Sequence, residues 1–239
     1  MPAHQKYRQT SRGLRASSVG EELGAGSLLV VERTARFYET VLPARVSGEL
    51  ADLGAGSSPL KPVYEPLAAS SWGLDWPNSA HTGDIDVAAD LNAGVPLRTC
   101  SMDTLLVADV LEHLADPAGF LRECRRILRP GGVLIGNVPF MYWLHEEPYD
   151  FFRYTEHGLR HLLEGAGFAR ADVQVLGGGL DVVVDILGKI VAQVPLVGAV
   201  LARALQGAWG AVTSVSFIRR PMRRLERLVP LSYGFVVDG

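Results

Sequence analysis

The segment ELADLGAGSSP at residues 49–59 places an acidic side chain and two glycines at a spacing that suits the binding of a small ligand. Asp52 follows a short apolar run, so we expect it at the end of a strand. Gly54 and Gly56 allow a tight turn and let backbone amides approach a ligand without an intervening Cβ. A carboxylate at this position would attract a ligand's ammonium group. The motif is short, and it gains weight from the residues that follow.

Two further acidic residues lie at the ends of apolar runs. Asp75 ends the run SWGLD, and Asp109 lies near the end of TLLVADV. In an open parallel sheet, ligands bind beyond the carboxyl ends of the strands, where the strand order reverses. We therefore expect Asp52, Asp75 and Asp109 to share one pocket.

A second group of reactive side chains lies in PFMYWLHEEPYDFFRYT at residues 139–155. His145 is the best candidate for a general base, since an unperturbed imidazole titrates near ~6.5. Asp150 could orient His145 or act itself, and Arg153 could pair with Asp150 or hold an acidic acceptor. The structural alternative is that Asp150, Arg153 and Tyr154 form a buried network that pins the loop to the sheet.

Apolar runs alternate with helical patterns along most of the chain, which predicts a parallel sheet with helices on both faces. A helix over 28–42 is expected to end at Pro43, and a second is expected to begin at an Asp116 cap. A third begins near Thr155. The prolines that follow the glycine loop predict irregular chain that places Tyr64 over the site. The strands are predicted at 49–53, 71–75, 104–110, 133–138 and 168–176.

Composition excludes several classes of protein. The chain has 239 residues and a net charge of −3, which argues against a general nucleic-acid binder. Its cysteines, Cys100 and Cys124, have neither disulfide-framework nor zinc spacing. The first twenty residues have no apolar signal-peptide core, so we expect a cytoplasmic protein.

The two ends of the chain differ from its centre. Residues 1–20 are basic and predict a flexible arm, and 180–218 is apolar without a run long enough to span a bilayer. That apolar region predicts core or lid helices. The alternative is a membrane patch that ends in the arginines of 219–227. The predicted units are an arm (1–27), a ligand-binding core (28–179), a helical cover (180–229) and a final strand (230–239).

Four pieces of the sequence resemble the class I S-adenosylmethionine-dependent methyltransferases, in the broad group typified by quinone-biosynthesis enzymes. They are DLGAGSS (52–58), GLD (73–75), the run from Met102 to Phe140 and EGAGF (164–168). The segment His-x-x-Pro-x-Asp-x-x-Arg-Tyr-Thr, from His145 to Thr155, resembles a subgroup of these enzymes.

The resemblance implies a Rossmann-like α/β fold. It has a mostly parallel seven-stranded sheet, helices on both faces and an apolar helical insertion before an antiparallel last strand. It also implies that S-adenosylmethionine is the cofactor. The implied contacts are the methionine portion for Gly54, Ala55 and Gly56, the ammonium for Asp52, the ribose for Asp75, the adenine for Asp90 and Leu91, and the region of the sulfur for Ala108 and Asp109.

The predicted activity is methyl transfer to a small-molecule or saccharide acceptor, with oxygen favoured. One alternative is a lipid or quinone-type acceptor at a membrane surface, and another is a non-catalytic partner protein with the same fold. We expect His113 to brace a helix start. We expect no nucleic-acid partner and no metal site, because the histidines are scattered along the sequence. The oligomeric state stays open.

Overall fold

The computed structural model describes residues 6–11, 13–17, 24, 26–77, 85–169, 171–214 and 224–239. Strands and helices alternate through the first two thirds of the chain, and helices dominate the last third. The strands are β1 (Tyr7–Thr10), β2 (Gly13–Ala16), β3 (Glu49–Leu53), β4 (Ser70–Asp75), β5 (Val87–Ala88), β6 (Met102–Ala108), β7 (Leu128–Pro139), β8 (Asp172–Val175) and β9 (Ser232–Asp238). The helices are α1 (Leu28–Arg45), α2 (Lys61–Tyr64), α3 (Pro117–Ile127), α4 (Glu156–Gly165), α5 (Leu180–Ala192) and α6 (Gly198–Ser214).

A seven-stranded sheet with the order β5-β4-β3-β6-β7-β9-β8 forms the centre of the molecule. The strands from β5 to β7 are mutually parallel, and β9 runs antiparallel between β7 and β8. The strand order reverses at β3, which pairs with β4 on one side and β6 on the other. The predicted Rossmann-like sheet, with its antiparallel last strand, is confirmed.

Side chains from alternate positions of the inner strands build a core on each face of the sheet. Leu106 and Ile135 point to the face covered by α1, where they join Tyr38 and Leu42. Their neighbours along the strands point to the other face, which α3 and α4 cover; these are Leu105 and Leu134, and they pack with Phe120, Cys124 and Leu159. Burial on both faces explains why these strands are apolar runs rather than alternating patterns.

Side-chain caps mark the start of two helices. The Asp116 carboxylate accepts a hydrogen bond from the Gly119 amide and caps α3, as the sequence predicts. The Thr155 hydroxyl caps α4 in the same way. The predicted end of α1 at Pro43 is wrong, because the helix continues to Arg45 and the Val46 amide still donates to the Leu42 carbonyl. A proline in the last turn removes a single bond and is tolerated there.

The N-terminal arm, predicted to be flexible over 1–27, forms the hairpin β1–β2 in its described part. Tyr7 and Leu14 are buried against α1. The basic side chain of Arg15 pairs with Glu32 and Glu39 of α1, and the Leu14 amide donates to Glu39. Acidic residues on α1 therefore dock the basic arm, which the one-dimensional charge pattern does not reveal. Residues 1–5 and 18–23 lie outside the described residues.

The apolar region before the last strand forms α5 and α6, which confirms the helical insertion. A buried ion pair joins these helices to α1. The Arg33 guanidinium donates to both Asp181 oxygens at 2.9 and 3.0 Å and to the Thr213 hydroxyl at 2.8 Å. The Trp209 indole also donates to Asp181. Both charged side chains are 2% exposed, so neither has bulk water to replace its partner.

We predict that Asp181→Ala lowers the free energy of unfolding by about 3–5 kcal/mol, because it leaves a buried, unpaired guanidinium. The double variant Arg33→Met/Asp181→Leu should recover most of that loss. Urea denaturation measures all three proteins, with Asp172→Ala at an exposed strand position as the control. A loss below about 1 kcal/mol for Asp181→Ala would contradict the role given to this pair.

Candidate active site

The glycine loop after β3 forms a tight turn beside the end of β6. Gly54 and Gly56 have φ of 81° and 55°, a region that side chains with a Cβ rarely adopt. The amides of Gly54 and Ala55 both donate to the Leu74 carbonyl, which ties the loop to β4. A Cβ on Gly54 would lie 2.4 Å from a methyl carbon of Val110. Glycine is therefore required both by the backbone conformation and by the close approach of the segment after β6.

Asp52 lies at the carboxyl end of β3 and is 3% exposed. Its carboxylate accepts a hydrogen bond from the Tyr64 hydroxyl on α2. Burial raises the pKa of Asp52 from 3.8 to about 7, and the nearby negative charge of Asp75 adds to that rise, although the bond from Tyr64 opposes it. An ammonium group bound here would favour the ionised form.

The predicted adenosine contacts lie on β4 and on the chain after β5. Asp75 ends β4, and its carboxylate accepts a hydrogen bond from the Trp76 amide. The Asp90 carboxylate is exposed and accepts from the Asn92 amide, which closes a local turn, while Leu91 is buried. Asp75 therefore lies close enough to Asp52 for their charges to interact. The hydrogen bond of Asp90 is made within its own turn.

A chain of hydrogen bonds runs across the end of β6 beyond Ala108. Asp109 has a φ of 54°, and its carboxylate accepts from the Asn137 amide group at 2.5 Å and from the Lys6 ammonium at 2.8 Å. The Asn137 carbonyl oxygen in turn accepts from the Tyr38 hydroxyl at 2.6 Å. The N-terminal hairpin, α1 and β7 thus fix the orientation of Asp109.

Glu112 is a site residue whose importance the sequence does not reveal. It lies in a 3₁₀ turn, Leu111–His113, and its side chain is fully buried. Neither carboxylate oxygen has a hydrogen-bond partner within the described part of the chain. Burial and the charge of Asp109 raise the pKa of Glu112 well above its usual range. The Glu-His motif marks its position, but only the packing shows its burial.

The acceptor-side residues predicted after β7 do meet in space. Arg153 donates to both oxygens of Asp150, at 2.5 and 2.7 Å, and holds the pKa of Asp150 at about 2. The His145 amide donates to Asp150, and His145 Nδ1 lies 3.2 Å from Asp150 Oδ2. Burial and the neighbouring His113 lower the pKa of His145. These contacts include the Asp150–Arg153 network that the sequence analysis gave as the structural alternative.

Two of the histidines meet in the folded protein, contrary to the reasoning that led us to expect no metal site. Ligand atoms of Glu112, His113 and His145 all lie within 4.8 Å of one another. Sequence spacing concealed this cluster because its members come from two different loops. The turn after β6 and the loop after β7 meet because β6 and β7 are adjacent parallel strands.

Aromatic side chains surround this cluster. The ring of Tyr142 lies 5.1 Å from that of His145, and its hydroxyl shares a hydrogen bond with Ser27. The Lys189 ammonium of α5 lies 4.2 Å from the centre of the Tyr142 ring. Several other aromatic rings of the same loop are largely exposed: Trp143, Tyr149, Phe151 and Phe152.

A family model described as a methyltransferase domain matches residues 22–136. A probable S-adenosylmethionine-dependent methyltransferase of Mycolicibacterium smegmatis is 30% identical over 147 residues, which cover 56% of this chain and 57% of the relative. A ubiquinone biosynthesis O-methyltransferase of Dinoroseobacter shibae is 27% identical over 168 residues, 63% of this chain and 60% of the relative. The chain thus spans less than two thirds of the length of these relatives.

The fold is also found among solved structures. A methyltransferase dependent on S-adenosylmethionine from Archaeoglobus fulgidus aligns with a TM-score of 0.57 and 15% identity, over 86% of this chain and 92% of that one. Residues 22–136 thus resemble a methyltransferase domain in sequence, and the fold is that of the class I S-adenosylmethionine-dependent methyltransferases. S-adenosylmethionine is the cofactor of this class.

We predict that Asp52→Asn raises the thermal stability of the cofactor-free protein, and more at pH 8 than at pH 5. With a folded-state pKa of about 7 against an ordinary 3.8, ionisation of Asp52 opposes folding progressively as pH rises between those values. Midpoints of thermal unfolding at both pH values measure the effect, with Asp172→Asn as an exposed control. An equal gain at both pH values would show that Asp52 is not the titrating group.

Proposed function

We propose that this protein transfers a methyl group from S-adenosylmethionine to a hydroxyl oxygen of a small-molecule or saccharide acceptor. The observation that carries the proposal is the contact between the glycine loop after β3 and the segment after β6. Gly54 lies two residues after Asp52, and Val110 leads into the turn of His113, whose ring lies 4.8 Å from that of His145. A cofactor and an acceptor can therefore lie side by side at one edge of the sheet.

The cofactor end of the site has the groups that this reaction needs. Asp52 would hold the ammonium of the methionine portion, and the glycine loop would contact that portion through its backbone. Asp75 would accept hydrogen bonds from the ribose hydroxyls. The remaining proposed contacts are Asp90 and Leu91 for the adenine and Ala108 and Asp109 for the region of the sulfur.

The acceptor end would supply orientation and proton removal. The methyl group leaves the sulfonium sulfur and bonds to the acceptor oxygen, whose proton passes to a base. In this proposal His145 is that base. Asp150 Oδ2 lies 3.2 Å from His145 Nδ1, and a hydrogen bond formed there during the reaction would favour the tautomer that leaves Nε2 free to accept a proton. Because Arg153 already forms two bonds with Asp150, it serves as a positioning residue in this scheme.

The exposed aromatic rings support a saccharide or other ring-shaped acceptor. Trp143 and Tyr149 are each 47% exposed although their loop is anchored by Asp150 and Arg153. Flat apolar faces beside hydrogen-bonding groups form a suitable surface for a molecule with both C–H faces and hydroxyls.

A lipid or quinone-type acceptor at a membrane surface is the second candidate. Helices α5 and α6 and their connection expose several large apolar side chains, among them Leu196 at 102%, Val200 at 67% and Ile190 at 62%. Arg224 and Arg227 are exposed further along the chain, and the other arginines of the basic cluster, 219–223, lie outside the described residues. Such a surface is typical of a peripheral membrane contact. In the described part of the chain, no helix combines the length and apolar character needed to cross a bilayer.

We predict that S-adenosylmethionine and S-adenosylhomocysteine bind the purified protein, and that Asp75→Ala weakens both by at least about tenfold. Loss of the hydrogen bonds from the ribose to a charged carboxylate is the physical reason. Calorimetric titration measures the binding, and Glu164→Ala, at an exposed position of α4, is the matched control. Absence of binding to the folded wild-type protein would instead favour the non-catalytic partner role.

For a water-soluble acceptor, we predict that the protein stays in the lower fractions when it is floated with anionic vesicles at low salt. Flotation of the wild type, lost in the variant Leu196→Asp, would favour the lipid acceptor. Leu196 suits this test because its side chain is fully exposed, so the substitution removes no core contact.

A further inference from the structure

Glu112, His113 and His145 direct potential metal-binding atoms towards a common point. Glu112 Oε1 lies 3.8 Å from His113 Nε2 and 4.0 Å from His145 Nε2. All three ligand atoms fall within 4.8 Å of one another. Side chains with one carboxylate and two imidazoles form a familiar set of ligands for divalent transition metals.

The outer nitrogen of each imidazole already has an acceptor close by. His113 Nδ1 lies 3.0 Å from the Tyr149 carbonyl oxygen, and His145 Nδ1 lies 3.2 Å from Asp150 Oδ2. Arg153 holds Asp150 in place through two bonds. In metal sites, a carbonyl or carboxylate acceptor at one nitrogen keeps the proton there and directs the other nitrogen to the ion. His113 has this arrangement, with Nε2 facing Glu112. His145 Nδ1 makes no hydrogen bond in the described residues, and a small rotation of its ring would complete one to Asp150.

The burial of Glu112 is an independent observation that points to a ligand. Its side chain is fully buried, and both oxygens lack a hydrogen-bond partner in the described residues. A buried carboxyl group without partners is costly, whether it is charged or merely polar. A bound cation would supply the missing interaction for the oxygens. The negative charge of Asp109 nearby would favour the cation, and the positive charges of Arg153 and Lys6 would oppose it.

We propose that Glu112, His113 and His145 bind a divalent transition-metal ion such as Zn²⁺ or Co²⁺. The two imidazoles favour these ions over Mg²⁺ and Ca²⁺, which prefer oxygen ligands. Metal–ligand bonds of about 2.0–2.2 Å require ligand atoms closer together than the 3.8 and 4.0 Å that separate Glu112 Oε1 from the two Nε2 atoms. Small rotations of the His113 and His145 side chains would bring them there.

The proposed ion would also change the role of His145. This step rests on the proposed function, because it assumes a hydroxyl acceptor. Three protein ligands leave a position for water or for the acceptor oxygen, and coordination lowers the pKa of a bound hydroxyl. His145 would then be a ligand rather than the base. The ion would lower the pKa of the acceptor hydroxyl, whose proton would pass to solvent water as the oxygen bonds to the methyl group. Asp150 would act as a positioning residue through His145.

The test is titration of the chelator-treated full chain with CoCl₂ and ZnCl₂, followed by calorimetry and by the visible absorption of Co²⁺. We expect about one equivalent of Co²⁺ with ligand-field bands of nitrogen and oxygen coordination. Glu112→Gln should weaken binding by more than about tenfold, and Asp150→Asn by about 10–100-fold. His157→Gln, at an exposed position of α4, is the control and should bind like the wild type.

Three results would overturn the proposal. One is absence of Co²⁺ bands in the wild type, and another is wild-type affinity in the Glu112→Gln variant. The third is a sulfur-to-cobalt band, which would assign the ion to the exposed Cys100 thiol. Thermal unfolding verifies that each variant is folded. These titrations contain no cofactor, so their outcome is separate from the binding of S-adenosylmethionine that tests the proposed function.

Discussion

Parallel strands end at the same edge of a sheet, and every candidate site residue of this protein depends on that constraint. β3, β4, β6 and β7 are separate in sequence but adjacent in the sheet. Their carboxyl ends bring Asp52, Asp75, Asp109 and the loop after β7 to one side of the molecule. The close contact of Gly54 with Val110 sets how near the two halves of the site approach, because residue 54 has no side chain to hold Val110 away.

Two acidic side chains of the site are buried, which is unfavourable for their ionised forms. Asp52 and Glu112 are both enclosed at this edge, and the pKa of each is raised chiefly by burial. Their environments differ, since Tyr64 donates to Asp52 whereas the Glu112 oxygens have no donor in the described residues. A bound cation would stabilise the ionised form of either carboxyl group. We propose the cofactor's ammonium for Asp52 and a metal ion for Glu112.

Contacts from outside the sheet connect the site to the ends of the chain. Lys6 of the N-terminal segment bonds to Asp109, and Lys189 of α5 lies over the Tyr142 ring. The buried pair of Arg33 and Asp181 fixes α5 to α1. The terminal segments are thus part of the architecture around the acceptor side.

Local sequence signals were sufficient for much of this structure. The glycine loop, the apolar strands, the Asp116 cap and the meeting of His145 with Asp150 and Arg153 follow from residue types and short spacings. Each depends on backbone conformation or on neighbours a few residues away, and both can be inferred from a short stretch of sequence. The resemblance to a methyltransferase class added the number of strands and the antiparallel last strand.

Only the tertiary structure decided the contacts between distant segments. Lys6 and Asp109 are 103 positions apart, and Arg33 and Asp181 are 148 apart. The burial of Glu112 and the approach of His113 to His145 likewise arise when two loops are brought together by adjacent strands. The sequence shows which charged and polar side chains the chain contains. Which of them lose water and meet is decided by the packing of the whole chain around the sheet.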